Sequence, residues 1–287
     1  MMMMMASTLT GSRKKASSAK TYDQLVDDLK QSPSEKVRYN AARMLGESGD
    51  FRAVDPLIDA LKHDKNGSVR LYAARALGEL GHPGARSHLI ESLQEDRNVD
   101  VRVRAARALG RLGGEEVVMP LVEALSDGNS QVCITAADAL IEIGPIAVNP
   151  LIEILHNERV NVRCDATRAL GELGERSAVP HLLGMLNDEW VNVRIYAVQS
   201  LGKLGCTTAT DTLVGVLCNR EENILVRSGA AHALGMIRDP RALMPLRQLI
   251  MDASELGEIE DTALKAYKLI MDANWKAMSK MQAMATV

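Results

Sequence analysis

The sequence predicts an all-α protein, an α-α superhelix of about eight stacked helix pairs. Three observations carry this. One segment, Val-Arg-x-x-Ala-Ala-x-Ala-Leu-Gly-x-Leu-Gly, recurs along most of the 287 residues. Its apolar positions fall at helical rather than strand spacing. Aromatic residues make up only 3% of the chain, with a single phenylalanine, Phe51. Many thin, similar layers rich in Ala, Leu, Val and Gly suit that composition, whereas a globular core usually contains large rings.

The chain opens with a stretch unlike the rest. Residues 1–20 contain Arg13, Lys14, Lys15 and Lys20 and no acid. They are expected to form a disordered basic tail. Their Ser- and Lys-rich composition leaves a targeting role open, although the segment lacks the apolar run of a secretory signal. The formal charge of −3 then leaves the other 267 residues at −7.

The solenoid is expected over residues 21–272. Its recurring valines are Val37, Val69, Val101, Val132, Val162, Val193 and Val226, spaced by 30 to 33 residues. Counting from each valine, positions 0, 4, 7, 8 and 11 are nearly all apolar, as in Val69, Ala73, Ala76, Leu77 and Leu80. At 100° per residue they share one face of a helix of about three turns. Alanines at positions 4 and 5 let neighbouring helices come close. The paired glycines, such as Gly78 and Gly81 or Gly110 and Gly113, read as the C-terminal stop.

A second segment lies between these helices: Pro56-Leu57-Ile58-Asp59-Ala60-Leu61, with equivalents at Pro120, Pro150, Pro180 and Pro245. Proline is tolerated in a first turn, where its missing N–H has no intrahelical partner. Each unit is therefore two helices joined by a polar turn. Neither helix buries its apolar stripe alone, so units must stack. The last unit departs, with Ile259-Glu260 replacing Val-Arg and no glycine pair after Tyr267. That suits a terminal cap, followed by a Met/Ala-rich tail over residues 273–287.

One polar pattern repeats with the period. Six residues before five of the recurring arginines stands a carboxylate or a close substitute: Asp64 and Arg70, Asp96 and Arg102, Asp188 and Arg194, Glu221 and Arg227, with Asn157 before Arg163. The fourth unit breaks the pattern, with Asp127 before Cys133. An arginine fork can hold a turn carboxylate together with backbone carbonyls, within or between units. A structural ladder that sets repeat register is the expected role, rather than acid–base chemistry.

The PLxxAL…D…VRxxAAxALGxLG pattern resembles the short HEAT-like repeats of the phycobilisome-lyase type, over about residues 21–250. The resemblance implies a right-handed, armadillo-like superhelix with first helices outside and second helices on the concave face. It also brings to mind a phycobilin lyase or a chaperone of a chromophore protein as one function. Helical-repeat hydroxylases similar to this family hold two irons through His-Glu pairs. None of the six histidines here (His63, His82, His88, His156, His181, His232) is followed by Glu. No cofactor, no metal and no catalytic residue is therefore expected. No phosphate loop or nucleophile motif appears either.

The outward stripe of the second helices, positions 3, 6 and 10, holds the candidate site. Tyr72, Arg75, Arg104, Arg107, Arg111, Arg168 and Tyr196 are its proposed partner-binding residues, since Tyr and Arg are favoured at binding hot spots. The third unit differs from its neighbours, because Arg104, Arg107 and Arg111 share their stripe (positions 3, 6 and 10) with no acid, the one acid of the segment being Asp100 at its start. An apolar line at position 2 (Tyr39, Leu71, Val103, Ile134, Cys164, Ile195) reads either as an inter-helix contact or as the floor of a groove. The expected function is a non-catalytic scaffold that binds a protein partner on the concave face. Nucleic-acid binding through Arg104, Arg107 and Arg111 is disfavoured by the acidic body and the scarcity of stacking aromatics. The four cysteines are scattered without ligand spacing and no run is long and apolar enough for a membrane span, so cytoplasmic residence without membrane association is expected.

Overall fold

A computed structural model describes residues 20–252 and 257–285. The basic tail of the first nineteen residues lies outside the described part. Eight helix pairs follow in order. They are α1 (Tyr22–Gln31) with α2 (Glu35–Glu47), α3 (Val54–His63) with α4 (Gly67–Leu80), α5 (Arg86–Glu95) with α6 (Val99–Leu112), and α7 (Val118–Ala124) with α8 (Ser130–Ile143). The rest are α9 (Val148–Glu153) with α10 (Val160–Leu173), α11 (Val179–Met185) with α12 (Val191–Leu204), α13 (Thr210–Cys218) with α14 (Ile224–Ile237), and α15 (Leu243–Met251) with α16 (Gly257–Ala285). The last helix runs on through residues 273–285. The protein is an all-α solenoid.

The local signals act as capping chemistry requires. Asparagines three residues before the repeat valine cap the second helices: Asn66 accepts from the N–H groups of Ser68 and Val69, Asn98 from Asp100, and Asn129 from Gln131. Each such cap contributes about 1 kcal/mol. At the other end Gly81 closes α4 at φ +71°, a left-handed conformation that costs glycine little.

The two glycines of each pair do different work, and here the structure corrects the sequence reading. Only the second ends the helix. The first, Gly78 for example, sits inside α4 and is buried. A methyl added there would lie 2.7 Å from Ala108 Cβ on α6. The same glycine-on-small-residue meeting recurs at Gly46 with Ala76, Gly110 with Ala139, Gly202 with Ala233 and Gly235 with Ala266. Absent side chains thus let successive second helices approach closely. First helices touch one another over far less of their length. A stack spaced more tightly on one layer than on the other curves toward the tight layer, which puts the second helices on the concave side. One continuous core fills the space between layers, from Leu25 to Ile270.

One junction is different. Position 9 of the fourth unit carries Ile141 instead of glycine; it is partly buried against the core, and by register its small counterpart on α10 is Ala169. Correspondingly, α8 and α10 touch along less of their length than any other adjacent pair of second helices in the described residues. The first helix of the fifth unit is also short, ending at Glu153 and continuing as a 3₁₀ turn over Ile154–His156.

Candidate functional site

The recurring arginines fix where the second helices present their side chains. Five of them, Arg38, Arg70, Arg102, Arg163 and Arg194, bridge two units. Arg70 Nε and Nη2 donate to the two Asp96 carboxylate oxygens at 2.7 and 2.8 Å, while Nη1 donates to the backbone carbonyl of Asp64 at 2.9 Å. Arg38 grips Asp64 in the same way, Arg102 grips Asp127, Arg163 grips Asp188, and Arg194 grips Glu222. The residue six positions upstream therefore supplies a carbonyl, and the carboxylate comes from the following unit. Arg102 bonds the Asp96 carbonyl at 2.9 Å, and its charge partner is Asp127. Glu222, not Glu221, receives Arg194; Arg227 Nε donates to the Leu217 carbonyl at 2.9 Å.

The same carboxylate also orders its own turn. Asp64, Asp96 and Asp127 each accept the backbone N–H two residues on at 2.8 Å. Burial works to raise these carboxyls, but the arginine fork and that N–H outweigh it and hold them below the ordinary value. Asp188 and Glu222 are lowered by the same balance. Charge-assisted bidentate geometry of this kind fixes orientation as well as adding energy.

The α8–α10 junction lacks its rung. Cys133 stands where the arginine belongs, and its thiol donates to the carbonyls of Asp127 and Asn129. On the other side Asn157 stands where the carboxylate belongs. Asn157 still accepts the Arg159 N–H at 2.9 Å, so the turn survives without the charge. The missing cation and the missing anion face each other.

The concave face divides the proposed partner-binding residues into two groups. Arg75, Arg104, Arg107 and Arg111 line a groove of about 280 Å³ between α4 and α6, with Gly78 and Ala108 as its floor and Glu79 on its wall. Arg75 is paired with Glu79 at 2.7 Å. Arg104, Arg107 and Arg111 make no ion pair or side-chain hydrogen bond within the described residues. Their counterparts do: Arg43 pairs with Glu47, Arg168 with Asp138 and Lys203 with Glu172. Tyr72 stands apart from the groove wall, half-buried and stacked on Tyr39 with ring centroids 5.1 Å apart.

Arg168 and Tyr196 belong to a second hollow, a cleft of about 840 Å³ over α8, α10 and α12, shared with Ile134, Asp138, Cys164, Asp165 and Ile195. The apolar line at position 2 serves both roles considered for it. Leu71 and Val103 pack against the core, while Ile134 is exposed and joins Cys164 and Ile195 in the cleft lining. Burial raises the Asp165 carboxyl, with Arg168 opposing and Asp138 adding to the rise. Burial also pushes the Cys164 thiol up to about 11, which makes it a poor nucleophile. Sequence reasoning placed Arg168, Tyr196 and the apolar line on this face, but not their gathering into one wide cleft with Asp138 and Asp165. The signal for that gathering was the loss of glycine at Ile141 and of the rung at Cys133 and Asn157, two irregularities in one place.

No group of three His, Cys, Asp or Glu side chains stands close enough to hold a metal ion in the described residues. No helix among them is long and apolar enough to cross a membrane.

Comparison with known proteins agrees with this architecture. No curated protein matches the chain in sequence. Among solved structures, importin beta overlays with a TM-score of 0.63 at 15% identity, covering 87% of this chain and 41% of its own. The YibA protein of E. coli overlays with a TM-score of 0.51 at 22% identity, covering 87% and 93%. The complex of CpcE and CpcF of phycocyanin lyase from Nostoc sp. PCC7120 is matched at 25% identity over 93% of this chain and 99% of that one, with a TM-score of 0.46. Residues 162–188 match the PBS lyase HEAT-like repeat. Residues 22–99, 86–158 and 188–267 match the family described as HEAT repeats, and the chain belongs to that family.

Proposed function

We propose that the protein is a non-catalytic scaffold that holds a segment of a protein partner on the concave face of its second helices. One observation carries this reading. The fold satisfies its own recurring polar groups through the ladder, yet leaves a run of arginines and a tyrosine-lined cleft on the concave side without structural work. Tyr72, Arg75, Arg104, Arg107, Arg111, Arg168 and Tyr196 are the residues proposed to meet the partner. Residence in the cytoplasm is part of the same proposal, and the four cysteines stand unbridged.

The test places a photo-crosslinking amino acid at Tyr196, in the cleft, and at Lys62, on a first helix, in the native host. A discrete protein adduct at Tyr196 and none at Lys62 is the expected result. Adducts at Lys62 alone would move binding to the outer face and overturn the reading.

A second reading is a lyase-type or chaperone role toward a chromophore-bearing protein. The match of residues 162–188 to the PBS lyase HEAT-like repeat favours it. Incubation with a phycobiliprotein subunit and free bilin tests it directly: a covalent chromophore band would establish the lyase and remove the word non-catalytic. Nucleic-acid binding through Arg104, Arg107 and Arg111 ranks below both.

A further inference from the structure

We propose that the groove between α4 and α6 receives a short acidic stretch of the partner, with two or three Asp or Glu side chains seated on Arg104, Arg107 and Arg111. This rests on the scaffold reading and gives it a chemistry.

The groove owes its shape to the tight junction beneath it. Gly78 and Ala108 bring the two helices together and leave nothing tall along the contact line. Long side chains rise on both sides. On the α4 side the charges cancel, since Arg75 is engaged by Glu79. On the α6 side Arg104 is half-buried and Arg107 and Arg111 are exposed, and no carboxylate reaches any of the three within the described residues. The groove thus has one neutral wall and one wall of net positive charge. Like charges at i,i+3 and i,i+4 repel within a helix. An incoming carboxylate removes that repulsion and finds guanidinium forks that suit its geometry.

Dimensions set the length of the ligand. From Arg104 to Arg111 the axis of α6 rises about 10 Å at 1.5 Å per residue. An extended chain advances about 3.3 Å per residue, so about four residues cover the arginines. The anion must also be short. The next second helix, α8, carries Asp138 and Glu142 at the positions of Arg107 and Arg111, and α10 carries Asp165 and Glu172. Asp138 and Glu172 are paired with Arg168 and Lys203, so a long polyanion leaving the arginines would find no compensating row of cations there. It would meet Glu142 and Asp165, which have no ion pair within the described residues. A protein segment with a local acidic cluster and neutral or basic flanks does not meet that penalty, which favours it over nucleic acid.

The experiment selects random dodecapeptides displayed on phage against the full protein and against Arg104→Glu/Arg107→Glu. It then measures a fluorescein-labelled nonapeptide of three consecutive glutamates in Gly/Ser flanks, its lysine counterpart, and a 20-nucleotide single-stranded DNA. Acidic peptides should be enriched by the wild type only. Binding of the glutamate peptide should fall by roughly tenfold or more in the variant and weaken as salt rises. The lysine peptide should gain in the variant. Arg104→Gln/Arg107→Gln should fall between the two, and unchanged circular dichroism of all three proteins ties any loss to charge rather than to folding. Acidic peptides retained equally by the charge-reversed protein would overturn the groove assignment. Enrichment of non-acidic peptides indifferent to the variant would overturn the acidic chemistry while leaving the scaffold intact. Failure to enrich any peptide would count against both. DNA bound more tightly than the glutamate peptide, and lost in the variant, would overturn the choice of a protein segment.

Discussion

The junction between α4 and α6 and the junction between α8 and α10 are built from the same repeat and come out differently. In the first, Gly78 lies against Ala108 and Arg70 clamps Asp96, so helix spacing and unit rotation are both fixed. In the second, Ile141 replaces the glycine, Cys133 replaces the arginine and Asn157 replaces the carboxylate. The helices touch less there, and a wide cleft opens over them instead of a narrow groove. Close packing and the charged rung are separate devices. The chain relaxes both at a single place, and two differently shaped and differently charged hollows result. In a solenoid, stability is a sum over neighbours, so one junction can be loosened without unmaking the rest.

Acid should separate the two junctions most strongly. Five rung carboxylates, Asp64, Asp96, Asp127, Asp188 and Glu222, are held below their ordinary values. A lowered folded-state pKa gives stability that is present above the unfolded value, about 3.9 for Asp and 4.3 for Glu, and lost as pH falls through the folded values. The α8–α10 junction has no rung to titrate. Its nearby Asp165 is shifted upward by burial, so protonating it relieves strain instead of creating it. Hydrogen exchange at pH 5 and pH 3, corrected for the intrinsic pH dependence, should show protection falling at α2–α4, α4–α6, α6–α8, α10–α12 and α12–α14 more than at α8–α10. Uniform loss along the chain would show that the rungs are not what the acid removes.

Removing one rung comes next in size. Arg70→Ala strands the Asp96 carboxylate, which is only 8% exposed, and frees the Asp64 carbonyl. The expected cost is about 2–3 kcal/mol, in the range for lost charge-assisted hydrogen bonds at sites of limited solvent access. Cys133→Ala at the rungless junction should cost far less, since only weak thiol hydrogen bonds go. Urea melts of the two variants measure the contrast, and equal costs would erase it.

These two positions also show how far the sequence could be read. The period, the helix pairs and their order were legible because apolar spacing is local information. The alternation of arginine and acid was legible as well, but its direction was not. Counted within units, the sequence has three damaged pairs, Ser32 with Arg38, Asp127 with Cys133 and Asn157 with Arg163. Counted from each arginine to the next unit, it has one missing rung, Cys133 with Asn157. The second count is simpler, and the structure follows it. The groove between α4 and α6 was legible only as three arginines on a stripe without an acid, since its floor depends on Gly78 meeting a residue thirty positions away. That contact is tertiary, and the glycine was read as a helix stop.

Rebuilding the lost rung is a smaller and more discriminating test. Cys133→Arg with Asn157→Asp places a guanidinium and a carboxylate at the positions they hold elsewhere. The pair should show a favourable coupling of about 1 kcal/mol in a double-mutant cycle, while each single change alone gains nothing or loses. The gain is modest because the two helices touch along less of their length at this junction. Simple additivity of the two changes would mean that the backbone at this junction has moved out of reach of a rung.

The smallest effect concerns the residues on which the functional proposal depends. Arg104→Ala and Arg107→Ala together remove two of three like charges from one face of α6, and neither side chain is tied to another residue of the described fold. Relief of repulsion is worth a few tenths of a kcal/mol per pair. Loss of the methylene stems from the groove wall offsets part of that, because long cationic side chains also cover apolar surface. The two terms oppose each other, and the melting behaviour should stay within about 0.5 kcal/mol of the wild type. Arg102, on the same helix and only two residues from Arg104, supplies the internal contrast, because Arg102→Ala strands Asp127 and should be plainly destabilising. A thermal melt that shows Arg104→Ala/Arg107→Ala unfolding as early as Arg102→Ala would make the arginine cluster part of the fold, and the case for an acidic partner would lose its starting point.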